Sequence, residues 1–233
     1  MRHWLNRLPA VPQGWQIIQG GTPEHCVALE NVVNPQAKVI LVRGWYVHSG
    51  AYLCKHAQVI RRFFTPLPKY QQNIQRLVEP LKDKYDVLVG VHIRLGDYRE
   101  WLGGVYVYPL QTWRILMERM VGLLTPKRVG FLICSDENLI PQGHHFSGLP
   151  VHWGTGHIIE DLYSLAECDY LIAAPSTYSG WASFYGQVPI YFLPSQEDIQ
   201  AAISSLTLAQ FHTLTEPYRT TTVASSRTGA RTN

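Results

Sequence analysis

Two patterns of apolar and polar positions alternate over the second half of the chain. Short, dense runs of Val, Ile and Leu bounded by polar residues predict strands buried on both faces of a sheet. Longer segments with apolar residues at helical spacing predict amphipathic helices. The predicted strands are the run that opens Val87–Asp97 and the runs Val129–Cys134, Pro150–Trp153, Tyr170–Ala174 and Val188–Leu193. The predicted helices are Leu110–Leu124, Glu160–Glu167, Trp181–Tyr185 and Gln196–Ala209, the last with Ser195 as its N-cap.

From residue 86 onward, strands and helices alternate along the chain. This order is typical of an α/β fold, and it predicts a Rossmann-like parallel sheet with helices on both faces. Because crossovers between parallel strands are right-handed, we expect the carboxyl ends of all strands at one edge of the sheet. Open sheets of this class bind their ligands at that edge, so we expect functional groups there.

The N-terminal third of the chain has a weaker pattern. Pro and Gly residues interrupt residues 1–35, and no regular element is expected there. A short strand, Ala37–Val42, and two helices, about Ala51–Phe64 and Lys69–Lys82, are predicted next. The chain is therefore divided into an N-terminal region at 1–85, the Rossmann-like domain at 86–214, and a disordered tail at 215–233, where Thr, Ser, Arg and Gly dominate.

Composition narrows the class of protein. The 233 residues are 46% hydrophobic and 16% charged, which is enough for a sizeable core under a lightly charged surface. A net charge of +3 is too small to indicate a nucleic-acid partner. The 4 cysteines include no CxxC pair and the 10 histidines lack ligand spacing, so neither a disulfide framework nor a metal site is predicted.

Membrane and export signals are not found in the sequence. No apolar run has the length needed to span a membrane. The N-terminal segment Met1–Pro9 is basic, but the apolar segment of a signal peptide does not follow it. We therefore expect a cytoplasmic protein that contacts a membrane peripherally at most.

The stretch Val87–Asp97 contains the densest group of chemically capable side chains. Its apolar run ends in His92, Arg94 and Asp97. Alternation along a strand directs His92 and Arg94 to one face, and Gly96 allows a turn that brings Asp97 beside them. A functional site is one interpretation of this group. A buried strand that ends in an ordinary ion pair between Arg94 and Asp97 is the other.

A second polar cluster is expected at the same edge of the sheet. Ser176, Thr177 and Ser179 precede a helix, where backbone N–H groups and the helix dipole favour an anion. Simple N-capping by the same hydroxyls is the alternative. Arg94 on this edge favours the anion, because a guanidinium binds phosphate through two parallel hydrogen bonds.

Carboxylates complete the candidate set. Ser135 and Asp136 follow the strand Val129–Cys134, where a carboxylate either binds a ribose or base or caps the next helix. Asp161 lies in the first turn of a predicted helix, where complementarity to the helix dipole is a sufficient explanation.

The segment VGVHIRLGDY resembles the His-x-Arg-x-x-Asp motif shared by α1,2-, α1,6- and protein O-fucosyltransferases, and it is most similar to the α1,2 family. Three further stretches are similar to family segments in the same order. They are Val42–Phe64, with a Gly-aromatic and an Ile-Arg-Phe pattern; Phe131–Glu137, an apolar strand that ends in Ser-Asp; and Asp161–Leu193, which in the family ends in Ser-Ser-Phe-Ser-Trp-Trp.

The resemblance implies a GT-B-like fold in which residues 1–85 form a shortened acceptor-side region and residues 86–214 bind a nucleotide sugar. It also implies transfer of fucose from GDP-fucose to a glycan hydroxyl, with inversion and without a metal ion or another cofactor. Arg94 would hold the β-phosphate and stabilise the departing GDP, and Asp136 would lie toward the guanosine. The remaining donor-binding candidates are Ser135, Asp161, Ser176, Thr177, Tyr178 and Ser179. Asp97 and His92 are the candidates for a base, or else they orient Arg94.

The sequence departs from the family pattern at several places. Leu95 stands where a second arginine is frequent, Gly180 stands where an aromatic residue is usual, and the family's Gly-Asn-Gln segment is missing. Two hypotheses follow: an active glycosyltransferase, and a catalytically silent GDP-sugar-binding domain that serves as a binding or partner subunit. The intact residues His92, Arg94, Asp97 and Asp136 favour the first, whereas Leu95 and the missing Gly-Asn-Gln segment favour the second.

Overall fold

A computed structural model describes residues 11–21, 25–44 and 47–214 of the chain. These residues fall into two units, one that extends to Ile60 and one that begins at Arg61. A helix over residues 68–84, which the sequence prediction assigned to the N-terminal region, thus belongs to the second unit. Residues 1–10, the predicted tail at 215–233, and Trp45 and Tyr46 of the family-like stretch lie outside the described residues.

The first unit contains two pairs of short parallel strands. β1 (Trp15–Gln19) pairs with β3 (Val39–Arg43), and β2 (Val27–Ala28) pairs with β4 (Val47–His48). The one-turn helix α1 (Leu29–Val32) follows β2, and the longer α2 (Gly50–Phe63) begins in this unit. The expectation that residues 1–35 hold no regular element is therefore wrong, because β1 forms its ladder with a partner more than twenty residues away.

The second unit is organised around a six-stranded sheet. Its strands are β5 (Val87–Ile93), β6 (Val129–Ser135), β7 (Val151–Trp153), β8 (Tyr170–Ala173), β9 (Pro189–Phe192) and β10 (His212–Thr213). The order in the sheet is β10-β9-β8-β5-β6-β7, and all neighbours are parallel except β9 and β10. The chain builds outward from β5 to β7 and then returns to the other side of β5. Such a reversal of strand order opens a crevice at the carboxyl ends of β5 and β8.

Helices cover both faces of this sheet. They are α3 (Pro68–Lys84), α4 (Leu110–Leu124), α5 (Ile158–Leu165), α6 (Thr177–Gly186) and α7 (Ile199–Ser205). The odd-numbered side chains of β5 pack with α4 and α7, whereas Leu88 packs with α3, α5 and α6. The predicted Rossmann-like parallel sheet with helices on both faces is confirmed. None of the helices in the described residues combines the length and the apolarity needed to cross a membrane.

The last helix is shorter than predicted, and the prediction that Ser195 is its N-cap is wrong. Asp198 occupies the N-cap position, and Ser195 Oγ donates to Asp198 Oδ2 at 3.0 Å. The helix ends because Leu206 adopts extended backbone, and Thr207 then opens a new turn with its own capping box. The segment Gln196–Ala209 therefore holds the short helix α7 and a separate helical turn that begins at Leu208, rather than one long helix.

Candidate functional site

Strand register aligns the ends of three neighbouring strands. His92 of β5 lies beside Cys134 of β6 and Ala173 of β8, and Ile93 lies beside Ser135. The segments that continue from these strands therefore leave the sheet at one edge. This edge contains the reversal of strand order between β5 and β8, which is where open α/β sheets bind ligands.

A cavity of about 260 Å³ opens at this edge. Six residues selected from the sequence line it: His92, Arg94, Ser135, Asp136, Asp161 and Tyr178. Cys134, Gly156 and Ile158 complete the lining. A guanidinium, two carboxylates, an imidazole and hydroxyl groups thus surround one space, which suits a polar, charged ligand.

Arg94 is held by two carboxylates and an aromatic ring. Its Nε donates to Asp97 Oδ1 at 2.9 Å, and Nη2 lies 2.8 Å from the same oxygen. Asp136 Oδ2 is 3.6 Å from Nε, and the ring centre of Tyr98 is 5.5 Å from the guanidinium carbon. The Asp97 side chain is 65% exposed. Because exposed ion pairs contribute little to stability, an anionic ligand can replace Asp97 on Arg94 at small cost.

Asp136 is part of the turn that follows β5. Its Oδ1 accepts a hydrogen bond from Leu95 N at 2.9 Å. A Cβ on Gly96 would lie 2.7 Å from Asp136 Oδ2, so glycine allows the carboxylate to approach this turn. The Leu95 side chain is buried in the layer that contains α4. The position where the resembling family often has a second arginine therefore belongs to the core.

His92 is buried, with 4% of its surface exposed. Its Nδ1 lies 2.6 Å from Ser179 Oγ, and its ring packs against that of Tyr178 with 4.8 Å between the centres. The Tyr178 hydroxyl donates to Ile158 O at 2.7 Å, which fixes the orientation of this second ring. Burial, together with the nearby charge of Arg94, lowers the pKa of His92 to about 3. The imidazole is therefore neutral at neutral pH and a weak base.

α6 begins at the edge of this cavity with unused backbone donors. Ser176 is its N-cap and accepts a hydrogen bond from Ser179 N at 3.1 Å, while Gly180 N donates to Ser176 O at 3.0 Å. N-capping, one of the two interpretations of this cluster, is thus present. The N–H groups of Thr177 and Tyr178 have no acceptor within the helix, because they belong to its first turn. They are available to an anion, so capping and anion binding are compatible here.

Asp161 fixes the loop that follows β7. Its carboxylate accepts hydrogen bonds from Thr155 N at 2.7 Å, Thr155 Oγ1 at 3.3 Å and Gly156 N at 3.2 Å. Burial raises the pKa of this carboxyl group, and the hydrogen bonds oppose that shift only in part. A Cβ on Gly154 would lie 2.5 Å from Asp161 Oδ1. The carboxylate therefore holds one wall of the cavity in place, a role that its position in the first turn of α5 does not reveal.

The remaining candidates lie around the cavity rather than in its wall. Asp97 reaches it through the ion pair with Arg94. Ser176 and Ser179 reach it through their hydrogen bonds, which end on His92. Thr177 is exposed at the start of α6.

The cavity contains no metal cluster among the described residues. In this part of the chain, no three His, Cys, Asp or Glu side chains lie close enough together to hold a metal ion. Burial raises the pKa of the Cys134 thiol, so this lining residue is a neutral thiol rather than a metal-binding thiolate. A reaction without a metal ion stays a prediction.

No protein-family model matches the chain, and no curated protein matches it. Solved structures are similar in fold. One is NodZ α1,6-fucosyltransferase co-crystallised with GDP, with a TM-score of 0.50 at 19% identity over 71% of this chain and 57% of that one. Another is selenomethionine fucosyltransferase NodZ from Bradyrhizobium, with a TM-score of 0.50 at 18% identity and the same two coverages. This chain has the fold of a fucosyltransferase.

The likeness concerns the fold over part of each chain. At 19% identity it establishes the fold, and this chain spans little more than half the length of the fucosyltransferases that it matches, 57%. The neighbour is an α1,6 enzyme, so the similarity to the α1,2 family is not supported by it.

Three lining residues were not selected from the sequence: Cys134, Gly156 and Ile158. Cys134 is buried and directly precedes Ser135 at the end of β6. Gly156 lies in the loop that follows β7, and Ile158 begins α5 after it. The rule that ligands bind after the carboxyl ends of strands applies to β7 as well, and it indicates this loop.

Proposed function

We propose that the cavity binds the diphosphate of GDP-fucose and that the chain transfers fucose from this donor to a glycan hydroxyl. The transfer inverts the anomeric carbon and uses no metal ion. Arg94 and the first turn of α6 bind the phosphates, and Asp136 lies toward the guanosine.

One observation carries this proposal. Arg94 and Tyr178 of the first turn of α6 line the same cavity, at the reversal of strand order between β5 and β8. A guanidinium and free N–H groups at a helix N-terminus both bind phosphate oxygens. A protein of the same fold has been co-crystallised with GDP, which supports a guanosine diphosphate as the anion.

The chemistry that these groups supply is stabilisation of a leaving group. As the bond between fucose and the diphosphate breaks, negative charge grows on the β-phosphate while the sugar gains oxocarbenium character. A positive group fixed beside that phosphate lowers the barrier because it interacts more strongly with the transition state than with the ground state. In this mechanism Arg94 exchanges Asp97 for a phosphate oxygen.

The exchange also affects the choice of base. His92 is neutral and weakly basic, so it is a poor acceptor for the proton of the attacking hydroxyl. Asp97 is exposed and loses its partner when Arg94 turns to the phosphate. We therefore assign proton acceptance to Asp97 and a hydrogen-bonding role to His92.

A second candidate function is a domain that holds a GDP-sugar without turning it over. Leu95 is buried in the core, so this chain has one arginine beside the cavity where the resembling family often has two. The low basicity of His92 removes a second group that could take part in catalysis. Both features favour donor binding over transfer.

Titration calorimetry with GDP, UDP and CMP tests the proposal. GDP should bind more tightly than the other two nucleotides. Arg94→Ala should weaken GDP binding by about 1.5–3 kcal/mol, the usual value of a hydrogen bond to a charged group. Release of GDP from GDP-fucose, with and without a glycan library, then separates transfer from silent binding.

Arg128→Ala is the matched control. Arg128 also pairs with an aspartate, Asp86, but both residues precede their strands and lie at the opposite edge of the sheet. Its substitution should leave GDP binding unchanged. Equal affinities for GDP, UDP and CMP, or equal losses in the two arginine variants, would refute donor binding at this cavity.

A further inference from the structure

The hydroxyl groups of Ser176 and Ser179 form a hydrogen-bonded chain that ends on His92. The two hydroxyl oxygens are 2.9 Å apart, and Ser179 Oγ is 2.6 Å from His92 Nδ1. Each hydroxyl donates one hydrogen bond, and a neutral imidazole carries its proton on one nitrogen only. The direction of the chain therefore decides which nitrogen of His92 is protonated.

Counting donors distinguishes the two directions. If Ser176 donates to Ser179 and Ser179 donates to Nδ1, each hydroxyl proton has an acceptor, and Ser176 Oγ still accepts the N–H of Ser179 at 3.1 Å. In the reverse direction Nδ1–H donates to Ser179, and Ser179 donates to Ser176. The proton of Ser176 then has no acceptor among the residues that the structure describes. The first direction satisfies every group within the protein, whereas the second leaves the proton of the half-buried Ser176 to solvent, so the first is favoured.

The opposite nitrogen of the ring, Nε2, faces the cavity. It forms no hydrogen bond with any described residue. It is not sealed from solvent either, because the buried side-chain atoms without a partner in the described residues are Trp113 Nε1 and Ser164 Oγ. His92 lines the cavity, which is thus the space that Nε2 reaches.

We infer that Ser176 and Ser179 fix His92 as the neutral tautomer with its proton on Nε2, so that the ring presents an N–H donor to the cavity beside Arg94. This inference deepens the proposed function and rests on it for the ligand: the N–H would bind an oxygen of the GDP diphosphate. A neutral donor adds a hydrogen bond without repelling the guanidinium. Ser176 and Ser179 are then positioning residues, which act through His92 and not through contact with the ligand.

Nitrogen NMR of the chain with isotope-labelled histidine reports the tautomer without any ligand. The signals of His92 are identified among the 10 histidines by their loss in His92→Gln. At neutral pH we expect an uncharged ring that carries its proton on Nε2. A proton on Nδ1, or a charged ring, would overturn the inference.

Ser179→Ala tests whether the serines set the tautomer. Removing the hydroxyl should move His92 toward the tautomer protonated on Nδ1 and weaken GDP binding about fivefold, as for one neutral hydrogen bond. Ser183→Ala is the control, because Ser183 is buried in the same helix and donates to Val188 O at 2.6 Å. Circular dichroism of both variants checks that they are folded. An unchanged His92 spectrum in folded Ser179→Ala would contradict the inference.

The two readouts also separate this inference from the proposed function. If His92 carries its proton on Nε2 but GDP does not bind, the donor proposal fails while the tautomer assignment is supported. If GDP binds and the proton lies on Nδ1, the donor proposal is supported and the inference is overturned.

Discussion

The two edges of the six-stranded sheet carry the same kind of ion pair in different surroundings. At the amino edge, Asp86 and Arg128 precede β5 and β6 and lie 2.8 Å apart. At the carboxyl edge, Arg94 and Asp97 follow β5 and also lie 2.8 Å apart. The first pair stands in solvent, since the side chains of Arg128 and Asp86 are 66% and 43% exposed. The second pair borders a cavity.

The difference lies in the hydrogen-bond donors that each edge leaves unused. At the amino edge, Asp86 also accepts a hydrogen bond from Arg128 N at 2.8 Å, and Asp169 accepts one from Leu88 N at 2.7 Å. These carboxylates connect neighbouring strands. At the carboxyl edge, Arg94 and the first turn of α6 keep donors that an external anion can use. An ion pair alone therefore does not indicate a site, whereas unused donors around a cavity do.

The largest effect is expected where the amino edge is packed against backbone. A Cβ on Gly186 would overlap the carbonyl oxygen of Ala166, an atom that cannot rotate away. Gly186→Ala should lower the free energy of unfolding by about 3 kcal/mol, the upper end of the usual range for overpacking. Urea denaturation measures this change. The GDP affinity of the folded protein should not change.

Gly122→Ala is the control for this substitution. Gly122 is an exposed residue inside α4, and a Cβ there would meet nothing within 4 Å. Because alanine is a better helix former than glycine, the free energy of unfolding of this variant should rise by about 0.5–1 kcal/mol. Similar losses of stability in Gly122→Ala and Gly186→Ala would show that the contact with Ala166 does not cause the effect at Gly186.

A smaller loss of stability but a larger loss of binding is expected at the carboxyl edge. In Gly154→Ala the new Cβ would lie 2.5 Å from Asp161 Oδ1 and 2.8 Å from Cys134 Sγ. Both atoms belong to side chains that line the cavity, so displacing them changes its shape. The free energy of unfolding should fall by about 1–2 kcal/mol. GDP binding should weaken about tenfold, or about 1.4 kcal/mol, in calorimetry. A loss of stability without a loss of GDP affinity would contradict a ligand-binding role for the carboxyl edge.

A pair of tyrosines tests the same contrast at the level of one hydroxyl. The Tyr98 hydroxyl donates to Pro175 O between the ends of β5 and β8. The hydroxyl oxygen of Tyr85 forms a hydrogen bond with His152 Nε2, at 3.1 Å. Tyr98→Phe and Tyr85→Phe should each lower the free energy of unfolding by about 1 kcal/mol, since each loses one hydrogen bond. Only Tyr98→Phe should weaken GDP binding, by about twofold, because the lost hydroxyl no longer anchors the ring that lies against Arg94. An equal effect of both variants on GDP affinity would argue against a localised site.

The smallest effect is expected from the exposed pair at the amino edge. Side-chain and backbone hydrogen bonds with Arg128 lower the pKa of Asp86 from 3.8 to about 2. A depressed carboxyl pKa stabilises the folded state above the unfolded pKa, and this contribution is lost as the pH falls from about 4 to 2. Asp86→Asn should therefore flatten the pH dependence of stability in that range. Arg128→Ala should flatten it in part, since it removes the guanidinium but keeps the backbone N–H that donates to Asp86. A profile in either variant identical to that of the unchanged chain would contradict this assignment.

The central part of the fold could be predicted because its patterns are long and regular. α4 spans Leu110–Leu124 as predicted, and every residue of β5 is buried. β1 could not be predicted, because five residues with two glutamines show no apolar run. Its stability comes from pairing with β3, and such long-range pairing overrides local propensity.

The candidate site was predictable to the extent that it follows from topology. Strand alternation and parallel crossovers place His92, Arg94 and Asp136 at one edge of the sheet, and the register brings these strand ends together. The role of Asp161 could not be predicted, because its contacts depend on the path of the loop through Thr155. Side chains that bind the backbone of a loop have no periodic pattern in the sequence.

The sheet of the second unit ends on both sides in its shortest strands. β7 has three residues, β10 has two, and β10 runs antiparallel to its neighbour. Edge strands expose unpaired N–H and C=O groups, which can recruit a strand from another molecule and start aggregation. Two such short edges offer little template for this addition. The sheet can therefore keep long apolar strands at its centre and still resist self-association through its margins.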